Sequence, residues 1–176
     1  SFVNYVAAAV AKEFPKVKIK TLAYSYTTDP PANLKVADNV VIELCGNYGP
    51  GKNDKHSNLT KSWSKIAKNI EVYTYGGSNF GYWWPYPNIW EMGAQYTRAL
   101  NSGVTAFYVQ GTAVGKGSGM VDLRAYLSAR LAWNPSRNVK KETKDFCNGF
   151  YGPGGKYIYE YENWYAAYTA KHKMKV

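Results

Sequence analysis

The sequence is poor in the residues that build metal sites and nucleophilic triads. It has only two histidines and two cysteines among 176 residues, and its 12 acidic residues are outnumbered by 22 basic ones. Cys45 and Cys147 lie far apart, without a second Cys or His at the spacing of a metal site. We therefore predict no metal, no cofactor and no Ser-His-Asp arrangement. Buried thiols are expected, although a single disulfide between the two cysteines stays open.

The sequence also lacks the signals that identify several other classes of protein. No stretch reaches the roughly 18 apolar residues of a membrane span, and no glycine-rich phosphate-binding motif follows a strand. The net charge of +10 comes from lysines spread along the chain, without an arginine-rich block. We predict no membrane span and no nucleic-acid partner. A solvated basic surface explains the charge, and an acidic polysaccharide is the alternative partner.

Aromatic residues, by contrast, are abundant, with 17 tyrosines and 6 tryptophans. Five rings crowd into the uncharged segment GGSNFGYWWPYPN, residues 76–88, whose glycines and prolines predict a loop. Flat rings with a polar tip are suited to stacking on sugars. We predict that this loop forms a sugar-stacking wall. The alternative is that Trp83 or Trp84 packs over the core or on a neighbouring domain.

The apolar pattern alternates between helical and strand periods along the chain. A first helix, which Pro15 ends, is followed by strands that alternate with further helices. The predicted strands span residues 17–26, 39–47, 70–77 and 104–112. Among the helix caps, Ser57 is predicted to start the helix over 57–69, and Asn88 the helix that Gly103 closes.

This alternation predicts parallel strands joined by crossover helices. Two architectures fit, an open doubly wound sheet and a (β/α) barrel, and a closed barrel needs about eight strands. Four strands would leave two edges unprotected. We therefore predict an α/β fold in which residues 1–135 form the second half of a (β/α) TIM-barrel-like domain. The helices within residues 136–176 are predicted to pack on that half barrel.

Polar and aromatic side chains gather where the predicted strands end. In both architectures, function lies at the carboxyl ends of the strands. Aromatic planes match the apolar face of a pyranose, and amides take its hydroxyls. The predicted ligand-binding residues are Tyr26, Asn47, His56, Tyr75, Asn79, Trp83, Trp84, Tyr86 and Gln110. An exposed loop position without a role stays open for His56, and Tyr73 fits a barrel filler as well as a ligand contact.

Glu43 is the best candidate for acid chemistry. In the strand NVVIELCGN, the wholly apolar alternate set should face the helices, which directs Glu43 into the barrel. A partly desolvated carboxyl group there would suit a general acid. Three roles stay open for Glu43: catalysis, ligand binding, or a structural ion pair with a Lys or Arg of a neighbouring strand.

Several segments also match a known family. The segments AAAVAKEFPKVKIKTLAYSYTTDPP, NVVIELCG and PYPN, and the helix LRAYLSARLAWNP followed by FYGPGGKYI, resemble a bacterial family called domain of unknown function 4838. That family is grouped with the glycoside-hydrolase-like TIM barrels. The resemblance runs over nearly the whole chain. It implies that these strands are the last four of a barrel, with a further domain before the barrel and β-rich domains after it.

The resemblance also implies a function. Members of the family look like secreted or periplasmic carbohydrate-active proteins, distantly similar to α-glucuronidases and β-hexosaminidases. Such barrels place an acid on the fourth strand, which would precede Ser1, and the last strand often has an acid before QG, where this chain has Val109. We expect a glycoside-hydrolase-like domain that acts on or binds a polysaccharide, together with the remaining barrel half. The alternative is a non-catalytic extracellular carbohydrate-binding or structural protein.

Overall fold

The computed structural model of the chain describes residues 1–48, 54–76, 86–111 and 119–172. The helices and strands within these ranges follow the predicted order. They are α1 (Phe2–Glu13), β1 (Ile19–Ala23), β2 (Val40–Cys45), α2 (Lys55–Ser64), β3 (Asn69–Tyr75), α3 (Met92–Asn101), β4 (Ala106–Gln110), α4 (Val121–Trp133), α5 (Val139–Tyr151) and α6 (Gly155–Lys171). Short 3-10 turns lie at Ser25–Thr27, Ile89–Glu91 and Gly152–Gly154.

The four strands form one sheet in the order β1-β2-β3-β4. β1 pairs in parallel with β2, and β2 pairs in parallel with β3. The predicted α/β fold with a four-stranded parallel sheet is therefore confirmed. Parallel neighbours need a long crossover connection, and α2 lies between β2 and β3 and α3 between β3 and β4, whereas a 3-10 turn lies between β1 and β2.

β1 ends earlier than predicted. The predicted strand covered residues 17–26, whereas β1 stops at Ala23 and a 3-10 turn follows it. Ser25 has a φ of +53°, a left-handed conformation that interrupts extended backbone. Tyr26 therefore lies on the turn and does not close the strand, which corrects the prediction.

Two of the predicted helix caps are also wrong. Asp54, and not Ser57, is the N-cap of α2, and its carboxylate accepts a hydrogen bond from the Ser57 backbone N–H at 3.0 Å. Asn88 precedes a 3-10 turn, and its side-chain oxygen accepts a hydrogen bond from Arg124. Gly103, with a φ of +95°, closes α3 as predicted.

The chain divides into two compact units, each built from separated stretches of sequence. The first unit comprises residues 1–74 and 98–108, and the second comprises residues 75–97 and 109–176. In the first unit, one apolar core lies between the helices and one face of the sheet. Its sheet members include Ala23, Val40, Ile42, Leu44, Ile70 and Val72, and its helix members include Ala7, Leu59, Trp63 and Ala99.

The opposite face of this sheet carries polar and aromatic side chains. β2 alternates as predicted, with its apolar set in the core and Glu43 on the other side. Glu43 is in register with Leu22 on β1 and with Glu71 on β3, so these side chains share one face. Leu22 is 51% exposed, and we call this side the accessible face. Its members in the first unit include Lys20, Leu22, Glu43, Glu71, Tyr73 and Tyr108.

In the second unit, α4, α5 and α6 pack together around leucines of α4 that are fully buried. α5 and α6 approach closely at Gly155, where an added Cβ would lie 2.1 Å from the carbonyl oxygen of Cys147. Cys147 is buried and Cys45 is half-buried; both are free thiols, which excludes the disulfide that the sequence had left open. None of the described helices is long and apolar enough to cross a membrane.

Candidate functional site

An ion-pair cluster lies at the centre of the accessible face. Lys20 Nζ donates to Glu43 Oε1 at 3.0 Å and also contacts the carboxylate of Glu71. Hydrogen bonds to Glu71 and to Glu43 raise the pKa of Lys20. Glu43 is buried, whereas the Lys20 side chain is 47% exposed. The structure thus contains the third of the roles considered for Glu43, an ion pair with a neighbouring strand.

Sequence reasoning missed Glu71. The signal was present, because Glu71 alternates with the apolar Ile70 and Val72 in IEVYTY as Glu43 does in VVIELC. Residues in register on adjacent parallel strands lie side by side, and Glu43 and Glu71 are such partners. The accessible face therefore holds two neighbouring carboxylates that share one ammonium group.

A pair of stacked rings lies further along the same face. The Tyr73 and Tyr108 rings have centroids 4.6 Å apart and planes 30° apart. Tyr73 follows Glu71 by two residues on β3, so both side chains point to the accessible face. Tyr108 is 52% exposed, which leaves part of its ring free to contact a ligand.

The ends of β2 and β3 are joined beyond the regular strand pairing. The Gly46 N–H donates to the carbonyl oxygen of Tyr73 at 2.9 Å. Thr74 Oγ1 donates to Asn47 Oδ1 at 2.5 Å. Asn47, a predicted ligand residue, is therefore anchored at the carboxyl ends of two strands.

His56 lies against Gly46 at the same end of β2. A Cβ added to Gly46 would lie 1.9 Å from Cε1 and 2.0 Å from Nε2 of His56, so the imidazole occupies the space of a missing side chain. Burial lowers the pKa of His56; the nearby Asp54 carboxylate opposes this shift, and Lys55 adds to it. The open alternative of a freely exposed loop histidine does not describe this half-buried ring.

A hydrogen-bond chain fixes the surroundings of His56. Thr60 Oγ1 donates to the carbonyl oxygen of His56 at 2.8 Å, and the Tyr48 hydroxyl lies 2.5 Å from Thr60 Oγ1. Since a threonine hydroxyl has one proton, Tyr48 must donate to Thr60. Burial raises the pKa of Tyr48 to about 12, which keeps this hydroxyl protonated.

Tyr26, another predicted ligand residue, lies on the turn after β1. Tyr26 is 96% exposed on its turn. Tyr75, Tyr86 and Gln110 belong to the second unit. Asn79, Trp83 and Trp84 lie outside the described residues, so the sugar-stacking wall stays a prediction.

The second unit contains a buried arginine that sequence reasoning also missed. Arg124, on α4, donates to the carbonyl oxygens of Gly119 at 2.9 Å and Gly76 at 3.3 Å. It also donates to the Asn88 side chain and to the Tyr86 carbonyl. Burial lowers the pKa of Arg124, and the nearby Glu162 opposes this effect. The only sequence signal is a cation in the apolar helix LRAYLSARL.

Metal chemistry finds no support in the part of the chain that the structure describes. No group of three or more His, Cys, Asp or Glu side chains there is arranged to hold a metal ion. The groups that the accessible face carries are carboxylates, an ammonium and aromatic rings, and the His56 imidazole lies at the end of β2.

These features define an α/β protein with a four-stranded parallel sheet and a polar, aromatic site at the strand ends. The family model described as Domain of unknown function (DUF4838) matches residues 1–163. The chain belongs to this family, as its sequence segments had suggested. No curated protein and no solved structure is detectably similar to the chain.

Proposed function

We propose that the chain is a carbohydrate-active domain that binds a polysaccharide or oligosaccharide on the accessible face, at the carboxyl ends of its strands. The stacked Tyr73–Tyr108 pair carries this proposal. An aromatic plane that is half exposed matches the C–H face of a pyranose. The carboxylates on the same face can bond the sugar hydroxyls.

We also propose that the sheet is half of a (β/α) TIM-barrel-like domain. Strands in sequential order with right-handed crossovers place all helices on one face of the sheet, as a barrel does. The sheet order and the single core on one face of the first unit support this assignment. The accessible face would then line the barrel interior, with the remaining barrel half or flanking domains as partners.

The proposal includes a secreted or periplasmic location, which the family resemblance implies. The basic net charge of +10 is compatible with an acidic polysaccharide as the ligand. No cofactor or metal has a part in it.

Glycoside hydrolysis is the second candidate function. It uses two carboxyl groups beside the scissile bond, and the adjacent Glu43 and Glu71 carboxylates favour it. However, Lys20 contacts both carboxylates, so Glu43 could approach a glycosidic oxygen only after Lys20 moved away. Binding without catalysis is therefore the function that the geometry supports better.

A glycan-array screen with Tyr108→Ala tests the proposal. Loss of the exposed ring should weaken binding of any captured glycan by roughly 2- to 10-fold, the value of one aromatic contact. Tyr157→Ala is the matched control, because Tyr157 is 62% exposed on α6 in the second unit. No binding by the unmodified protein would overturn the proposal. Glu43→Gln then tests hydrolysis, because it removes the carboxyl group that turnover would need and keeps a group that can bond a sugar hydroxyl.

A further inference from the structure

We propose that His56, seated on Gly46, is the neutral group that hydrogen-bonds a ligand hydroxyl at the end of β2. This inference rests on the proposed function and goes beyond it by naming the recognising group and its protonation form. The Tyr73–Tyr108 stack supplies a surface for the apolar side of a sugar. His56 would supply the polar contact that fixes the orientation of the sugar ring.

The first support is the position of the imidazole against Gly46, which we call the seat of His56. Gly46 has a φ of +142°, a backbone conformation in which residues with a Cβ are strained. The space that a Cβ would fill is already taken, because Cε1, Nε2 and Nδ1 of His56 lie within 1.9 to 2.9 Å of it. The backbone at the end of β2 thus turns beneath the imidazole. The ring approaches this backbone more closely than it could if Gly46 were replaced by a residue with a side chain.

The second support is that the seat is held from several sides. The Asp54 carboxylate accepts from the His56 backbone N–H at 2.9 Å and fixes the first turn of α2. The Tyr48 ring lies 6.0 Å from the imidazole, tilted by 47°. Thr60 bonds the His56 carbonyl oxygen. The two hydrogen bonds fix the His56 backbone, and an imidazole on a fixed backbone beside Gly46 has less conformational entropy to lose when it binds a ligand.

The third support is the position of the seat in the proposed site. Gly46 follows Cys45, which is in register with Tyr73 of the stacked pair. Gly46 also bonds the Tyr73 carbonyl oxygen through its N–H. The imidazole therefore lies one residue beyond the row of the sheet that carries the aromatic stack. A ligand that extends past Tyr73 to the end of β2 would meet this imidazole.

The chemistry of the ring suits a hydroxyl. Among the described residues, none forms a hydrogen bond with either ring nitrogen of His56. The facing groups are the Asp54 carboxylate, the Lys55 ammonium and the protonated Tyr48 hydroxyl, and burial outweighs them in keeping the imidazole uncharged. A neutral imidazole has one donor and one acceptor, as a sugar hydroxyl has.

Diethyl pyrocarbonate labelling of the whole chain, read by mass spectrometry, tests the inference. The reagent acylates neutral imidazoles, and His172, exposed near the end of α6, serves as the internal control. The probe glycan is the tightest oligosaccharide found on the array. We expect it to slow the labelling of His56 and to leave His172 unchanged.

Variants supply the second readout. His56→Ala should weaken glycan binding by roughly 3- to 10-fold, the loss of one hydrogen bond. His56→Gln, which keeps a neutral donor and acceptor, should restore most of the affinity. Binding by the unmodified protein should weaken as the pH falls from about 8 to about 5, because the imidazole becomes charged, and His56→Gln should remove this pH dependence.

The outcomes separate the two proposals. Protection of His56 together with rescue by glutamine supports the inference. Glycan binding that neither protects His56 nor changes in His56→Ala overturns the inference and leaves the proposed function standing. The absence of binding to any glycan on the array overturns the proposed function, and the role of His56 with it.

Discussion

Arg124 Nη1 donates to the carbonyl oxygen of Gly76 at 3.3 Å, which ties α4 to the residue that follows β3. The same guanidinium bonds the carbonyl oxygen of Tyr86 and the side chain of Asn88. Arg124 thus holds the chain on both sides of residues 77–85, the centre of the aromatic segment that stands out in the sequence.

Replacement of Arg124 should destabilise the protein strongly. Arg124→Met removes a buried guanidinium and leaves four acceptors without their donor, so we expect a loss of roughly 2–5 kcal/mol in the free energy of unfolding. Arg124→Lys should recover only part of this loss, because an ammonium cannot reproduce the planar fork. Urea denaturation measures the effect, and Lys144→Met, at an exposed position of α5, is the control. A loss no larger than that of the control would contradict the assigned role.

Removal of the Lys20 ammonium should leave two carboxylates that repel each other on the accessible face. Lys20→Met leaves the Glu43 and Glu71 carboxylates side by side without their shared cation, and we expect a destabilisation of about 1–3 kcal/mol. The double variant Lys20→Met with Glu71→Gln should regain much of this stability, because only one charge remains. The measurement is equilibrium unfolding in urea at low salt. If the double variant were less stable than Lys20→Met, the ion pairs would not be the cause.

Gly46 and His56 should be coupled in a double-mutant cycle. Gly46→Ala is expected to cost both backbone strain and a collision with the imidazole. In a His56→Ala background, the collision disappears and about 1–3 kcal/mol of strain remains. The coupling energy should therefore exceed about 1 kcal/mol. Equal costs of Gly46→Ala in the two backgrounds would show that the ring does not occupy this space in solution.

Glu142 should control part of the acid sensitivity of the second unit. Burial alone would raise its pKa, but hydrogen bonds from Arg137, Arg130 and Tyr126 hold the pKa of Glu142 at about 2. Because the folded-state pKa lies below the ordinary value of 4.5, this stabilisation is fully present above pH 4.5 and is lost as the pH falls through about 2.

The test compares unfolding free energies across this pH range. Glu142→Gln should be less stable than the unmodified protein at neutral pH, and the difference should shrink on acidification. Glu160→Gln, at an exposed position of α6, is the control and should leave the pH profile unchanged. A constant difference between Glu142→Gln and the unmodified protein would contradict the linkage.

Much of the fold could be predicted from the sequence because it depends on local periodicity. The alternation in β2 placed its apolar set in the core and Glu43 on the other face, and the structure confirms both. Prediction failed where one backbone angle decides the outcome. Ser25 adopts a left-handed conformation that ends β1 before Tyr26, and a serine in the sequence does not predict such a conformation.

The candidate site was only partly predictable for a related reason. Glu43, Asn47 and His56 could be found because each lies at or just after the end of an apolar strand. Their partners, such as Lys20 and Gly46, are chosen by register and by packing across the sheet, and these depend on distant parts of the chain. Arg124 was missed for the same reason, since its acceptors lie on two separate loops.

The division into two compact units has a consequence for dissecting the protein. The chain passes from one unit to the other three times, after Thr74, after Thr97 and after Tyr108. A single cut after Thr74 therefore separates the first unit from its residues 98–108, and a cut after Tyr108 separates the second unit from its residues 75–97. A cut after Thr97 divides both units. Neither unit can be excised from the protein, or transferred to another protein, as one contiguous segment of the chain. An engineered chain that links residues 1–74 directly to residues 98–108 would be needed to study the first unit alone.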